Sequence, residues 1–170
     1  MSEHPRLSEA ALIGPVVRPW DTGAAVAEVQ ELLQAHGFDL RVDGSYGWIT
    51  ETAVMSYQRE HGCRIDGVVG PKTWAALKAS VKAGTRTLRQ GHSGFDVFEL
   101  QGLLQIHGYP VPRDGIFAKE TKQAVTTFQE KHRLRCSGIV DSTTWTALRG
   151  RPLSQSSPRQ RWLLDPRKWW

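Results

Sequence analysis

Apolar residues fall at helical spacing in six short runs, three in each half of the chain. Val26, Val29, Leu32 and Leu33 form the first stripe, closed by Ala35, His36 and Gly37. Residues three and four apart share one face of a helix, so this spacing predicts an amphipathic helix. Thr50, Ala53, Val54 and Tyr57 mark a second helix that ends at His61. Trp74 and Leu77 mark a third, opened by Gly70-Pro71, where proline suits the first helical position. Its pattern allows an extension through Val81 to Gly84. Between the first two helices the period is lost over residues 38–47, which carry Asp43-Gly44 and Tyr46-Gly47. Asp-Gly predicts a tight turn, because glycine accepts positive φ and the aspartate can bond the backbone ahead of it.

The pattern then returns. Residues 23–78 align with 94–149 at a constant offset and without a gap, and 23 of the 56 aligned positions are identical. Val97, Leu100, Leu103, Leu104, Ile106, His107 and Gly108 repeat the first stripe. Thr121, Ala124, Val125 and Phe128, up to His132, repeat the second. Trp145 and Leu148 repeat the third, with Asp141-Ser142 in place of Gly-Pro and Asp141 placed to cap the helix. Thr50 and Thr121 stand near helix starts, where a side-chain oxygen can take a free backbone N–H. The expected fold is therefore all-α: two tandem three-helix modules, 18–83 and 84–150. An arm over 1–17 precedes them and a basic Trp-rich tail over 151–170 follows, with no counterpart after module one. Helices shorter than about 15 residues are marginal alone, so the modules must be held by mutual packing.

Charge changes the picture only at one end. The net charge is +5, and residues 151–170 supply +4 of it through Arg151, Arg159, Arg161, Arg167 and Lys168 against Asp165. The repeats are close to neutral, which argues against a nucleic-acid-binding face on them. Cys63 and Cys136 do not align with each other. Each fills a slot that the other copy gives to an aliphatic residue, so buried free thiols are expected, with an inter-module disulfide as the alternative. Residues 1–14 lack the apolar run of a secretory signal, and no stretch reaches the roughly 20 apolar residues of a membrane span.

The ordered set of short motifs carries a resemblance. Module two reads Leu88-Arg89-Gln90-Gly91-His92-Ser93-Gly94, then Leu100-Gln101, His107-Gly108-Tyr109, Asp114-Gly115-Ile116-Phe117, Phe128-Gln129, Gly138-Ile139-Val140 and Thr144-Trp145. Module one has Asp43-Gly44-Ser45-Tyr46-Gly47 and Gly67-Val68-Val69-Gly70-Pro71-Lys72-Thr73-Trp74. Over about residues 18–150 the chain resembles the peptidoglycan-binding domain 1 family, small three-helix modules attached to bacterial and phage cell-wall hydrolases. The resemblance implies a glycan–peptide wall polymer as ligand. Module two departs from the pattern at Ala118 and at Asp141-Ser142, which makes its loops less secure as ligand contacts.

The candidate chemistry is that of a binding protein. His36, His61, His107 and His132 recur in pairs at helix C-termini, where a cation is favoured and free carbonyls are in reach, so capping is preferred over metal ligation. No motif of a zinc site is present, and no metal or cofactor is expected. Asp43 and Asp114 serve the turns, with hydrogen bonding to a ligand as a possible addition; neither module offers the second carboxylate that a glycosidase needs. Trp74 and Trp145 share a helix face with leucines and are expected in the core. Tyr46, Trp48 and Phe117 stand at or beside the Asp-Gly loops. Tyr46 and Phe117 either anchor the loop or cover a sugar face, and Trp48, which aligns with Lys119, is expected on the surface. Gln58 and Gln129 follow the aromatic residues of the second helix and are expected to bond between helices or toward a groove.

These readings combine into a non-enzymatic binder of bacterial cell-wall peptidoglycan. Asp43, Tyr46 and Trp48 form one candidate ligand set, and Asp114, Phe117 and Lys119 the other. In the tail, Trp162, Leu163, Leu164, Trp169 and Trp170 are candidates for docking to a partner, a wall hydrolase or a large assembly. The alternative is an accessory part of a phage-like or contractile injection particle. The expected site of action is the cell envelope or a particle after cytoplasmic synthesis.

Overall fold

The computed structural model describes residues 6–150. Among these residues it is all-helical, with two tandem three-helix modules. Module one contains α1 (Ala24–Ala35), α2 (Trp48–Glu60) and α3 (Pro71–Ser80). Module two contains α4 (Phe95–Ile106), α5 (Lys119–Lys131) and α6 (Ser142–Leu148). The tail residues Trp162, Leu163, Leu164, Trp169 and Trp170 lie outside the described residues.

Each module closes around its own apolar core. Val26, Val29, Leu32 and Leu33 of α1 meet Val54 and Tyr57 of α2 and Trp74 and Leu77 of α3. Val97, Leu100, Leu104, Val125, Phe128, Trp145 and Leu148 repeat the arrangement. The stripes read from the sequence are the faces that pack. Pro71 opens α3, and the Asp141 carboxylate accepts from the Thr144 N–H at 2.8 Å to cap α6. α3 does not run on to Gly84: Val81 is extended and wholly buried, because its side chain turns inward to complete the core.

Residues 8–17, read from the sequence as an arm, are tied to both modules. Glu9–Leu12 form a short 3₁₀ helix that packs on α3. The Trp74 indole N–H donates to the Pro15 carbonyl at 2.6 Å, and Val17 exchanges backbone hydrogen bonds with Val69. The Ser8 hydroxyl donates to the Asp114 carbonyl at 2.9 Å, in the turn of module two.

The junction between modules is polar and buried. Lys78 of α3 donates through Nζ to the Ile13 carbonyl and to Ser93 Oγ, each at 2.9 Å, and lies 3.3 Å from Glu28 Oε1. Burial lowers the Lys78 pKa, and Glu28 offsets part of that. Beside it, the Arg86 guanidinium holds the Asp96 carboxylate at 2.6 and 3.2 Å, both side chains almost wholly buried. On the rim, Glu31 receives Arg89 at 2.9 Å and faces His92 at 3.0 Å. The counterparts of Glu31, Arg86 and Asp96 in the other copy are Gly102, Pro15 and Ala25, so these pairs belong to the junction and not to the module.

Burial raises the Glu31 pKa, but the hydrogen bonds and charges of His92 and Arg89 outweigh it and hold the carboxyl below its ordinary 4.5. A depressed folded value means that the stabilisation is complete above the unfolded value and is lost as pH falls through the folded one. The melting temperature is therefore expected to fall in acid below about pH 4.5. Glu31→Gln should flatten part of that decline, which a pH series of thermal melts measures.

Candidate functional site

The loops are held from beneath by glutamines. Gln30 of α1 is buried, and its Nε2 donates to Asp43 Oδ1 at 2.9 Å and to the Ser45 carbonyl and Thr50 Oγ1 at 3.1 Å. Its Oε1 accepts the backbone N–H of Asp43 at 3.0 Å and of Gly44 at 2.8 Å. One side chain thus satisfies most of the polar groups of the Asp-Gly turn, in which Gly44 takes φ +72°. Gln58 does the same for the loop between α2 and α3, donating to Asp66, Val68 and Thr73 and accepting from Asp66 and Gly67. Gln101 and Gln129 repeat most of both arrangements in module two, without the bonds that Gln30 takes from the Asp43 N–H and that Gln58 makes with Asp66. Thr50 and Thr121 are therefore not helix caps: each is buried and spends its hydroxyl oxygen on the glutamine amide.

Above the Gln30 network lies a groove of about 700 Å³, within the usual range for ligand sites. The end of α1, the loop from Asp39 to Asp43 and the first turn of α2 enclose it. Trp48, 72% exposed, and Ile49 offer its apolar wall; Asp43, Asp39 and Arg41 offer its polar side. Gln30 and the Ser45 N–H lower the Asp43 pKa, so this exposed carboxylate is ionised at neutral pH and accepts hydrogen bonds. A general acid needs a raised pKa, and Asp43 has the opposite.

Tyr46 does not face this groove. It is 2% exposed, and its hydroxyl donates to the Gly67 carbonyl at 2.5 Å. Burial, with Glu51 and Asp66 adding to it, pushes the phenol pKa up. Phe117, its counterpart, is 1% exposed and belongs to the core of module two. As ligand-stacking residues both expectations are corrected: the loop needs an apolar anchor beneath it, and these rings supply it.

Module two keeps the turn but not the wall. Asp114 Oδ1 accepts from Gln101 Nε2 at 3.0 Å and from the Ile116 N–H at 2.9 Å. The positions of Asp39, Arg41, Trp48 and Ile49 are taken by Pro110, Pro112, Lys119 and Glu120. Lys119 lines a different depression, with Gln90 and Lys122 on another flank of α5, and Asp114 is not part of it. The N-terminal segment also presses on the turn: a Cβ at Gly115 would collide with Leu7 and crowd Ala11.

Three of the four paired histidines reach helix carbonyls with their side chains, two of them in another helix. His36 Nε2 meets the Leu77 carbonyl of α3 at 3.1 Å, and His107 Nε2 meets the Leu148 carbonyl of α6 at 2.8 Å. Burial lowers the His36 pKa and the Leu77 carbonyl offsets part of it. His61 bonds Tyr57 in its own helix and stacks on that ring. Among the described residues no cluster of three metal-ligating side chains exists, and no helix is long and apolar enough to cross a membrane. Both cysteines are free thiols, but Cys63 is half-buried and Cys136 exposed, not core residues as expected. The slot of Cys136 is an outward one, since its counterpart Ile65 is itself 44% exposed.

Gln30 and Gln101 were the functional-site residues that the hydrophobic pattern did not single out. Their signal was identity in both copies on an otherwise apolar helix face. Arg41 and Ile49 carried no such signal, because the copies differ there.

Comparison with known proteins agrees with this architecture. The sequence model of the family described as "Putative peptidoglycan binding domain" matches residues 22–77 and 93–148. The chain is 33% identical over 152 residues to the N-acetylmuramoyl-L-alanine amidase CwlM of Mycobacterium tuberculosis, covering 79% of this chain and 37% of that protein. It is 39% identical over 70 residues to the spore cortex-lytic enzyme of Bacillus subtilis, covering 40% and 23%. The chain thus spans less than half the length of these curated relatives. Among solved structures, the SleB N-terminal domain is 36% identical, with a TM-score of 0.36, covering 37% of this chain and 88% of that one.

Proposed function

The chain belongs to the peptidoglycan-binding domain family through both of its modules, and from that premise we propose that it binds the bacterial wall polymer at the groove of module one without catalysing a reaction on it. The observation that carries this reading is the groove itself. It sets an exposed indole and an isoleucine opposite ionised and cationic side chains, over a floor fixed by Gln30. Such a surface can cover the apolar face of a sugar while Asp43 and Arg41 bond its hydroxyls, amides or carboxylates. Module two keeps the scaffold and offers Pro112 and Lys119 instead, so it contributes little to the same ligand.

The relatives are named as amidases and cortex-lytic enzymes. The role proposed for this chain is the part of such work that holds protein to wall, at the cell envelope. The Trp162, Leu163, Leu164, Trp169 and Trp170 segment is proposed to dock to a partner, which links the wall-bound modules to a second protein.

Sedimentation with purified peptidoglycan sacculi tests the reading. The wild-type chain should pellet with them, and Trp48→Ala should weaken binding about tenfold, as expected for an aromatic anchor. Lys119→Ala should stay near wild type. A wild-type chain that remains in the supernatant across salt and pH would sink the proposal.

A further inference from the structure

We propose that Trp20 is a second sugar-stacking residue of module one, which extends the binding surface from the groove across Trp48 onto the loop before α1. What these two indoles read is then the extended amino-sugar strand of the polymer. The inference rests on the wall-binding reading and names the part of the polymer that is read.

Trp20 has φ +76° and is 85% exposed. L side chains avoid this region because Cβ crowds the following carbonyl. The same position in module two is Gly91, with φ +101°. The turn is the same in both copies: the Trp20 N–H donates to Tyr46 at 2.9 Å, as the Gly91 N–H donates to Phe117 at 3.0 Å. Folding therefore asks for glycine here. The indole adds backbone strain and recovers almost no burial, which marks a residue kept for something outside the fold.

Its place relative to the groove follows from the backbone. The Tyr46 N–H donates to Asp21 at 2.9 Å, and Thr22 is bridged to Ser45. The segment of Trp20 thus runs beside the segment that leads into Trp48. In module two, Gln90 and Lys119 line one depression, and their counterparts are Pro19 and Trp48. Trp48 consequently stands between the groove on one side and the Pro19-Trp20 loop on the other.

Two exposed indoles, with Pro19 beside one of them, offer apolar ring faces set between the charged side of the groove and the exposed Arg18 and Asp21. Pyranose rings along a glycan strand present successive apolar C–H faces, and separate indoles can each cover one. Neither indole has an aromatic counterpart in module two, so the platform is particular to one copy.

The test uses the full chain with Trp20→Gly, sacculi, and peptide-free glycan strands. Trp20→Gly relieves the strain, so its melting temperature should rise by about 2–4 °C. Its affinity for glycan strands should fall about tenfold, the loss expected for one uncovered aromatic face. Trp20→Phe should keep most of the binding. Unchanged glycan affinity in Trp20→Gly would overturn the proposal and leave the wall-binding reading standing. So would loss of self-association in that variant by analytical ultracentrifugation, which would make Trp20 a contact between copies. If the wild type binds neither sacculi nor strands, both readings fall together.

Discussion

Replacing Asp96 by alanine is expected to destabilise the protein by about 3–5 kcal/mol, the range for removing one partner of a buried ion pair. Asp96 is 1% exposed and takes two hydrogen bonds from Arg86, and its Oδ1 also accepts the Val97 N–H at 2.9 Å. Without it the Arg86 guanidinium remains buried with only the Ser93 carbonyl at 3.0 Å as partner, and its Nη1 already has none among the described residues. Lys78 lies near the same cluster and bonds Ser93 as well, so the loss also loosens the seam between the modules. Urea denaturation measures the effect. The double variant Arg86→Met with Asp96→Ala should recover most of the stability, because an apolar pair carries no unpaired charge. Module one shows that a module can do without this pair, having Pro15 and Ala25 at those positions.

Gln30→Leu is expected to cost about 2–4 kcal/mol and to abolish sacculus binding. Leucine fills the space but leaves the N–H groups of Asp43 and Gly44 without an acceptor and takes the amide donor from Thr50 Oγ1, while the Ser45 carbonyl keeps only the Gly47 N–H. The Asp-Gly turn would then rearrange, and with it one side of the groove. Gln101→Leu is the control. It removes the corresponding contacts in module two, where only the Asp43 N–H bond has no equivalent, and should lower the melting temperature, yet leave wall binding near wild type. Equal loss of binding in both variants would show that module two carries the site as much as module one.

Much of the scaffold was legible in the sequence because it is set by local period. The spacing of Val26, Val29 and Leu33, the proline at position 71 and the aspartate at 141 each act within one or two turns of helix. The site was less legible. Trp48 was readable as exposed from its mismatch with Lys119. Tyr46 was not separable from it, since a loop aromatic can point inward or outward and only packing decides which. The histidines were correctly placed at helix ends, but His36 and His107 reach carbonyls of a helix 41 residues further on, which no local pattern contains.

The sequence by itself determined the number of modules, the helices in each and the faces that pack, because duplication supplied an internal comparison and helical period is a short-range signal. The tertiary structure alone decided what joins the copies and what they offer to a ligand. Lys78, Arg86 and Asp96 are ordinary surface residue types in a linear reading, and they become a buried seam only when two modules and the segment 8–17 close over them. Burial and long-range hydrogen bonding depend on contacts between residues far apart in the chain. For the same reason the groove could be seen only once Gln30 was found to hold the Asp43 turn beneath Trp48.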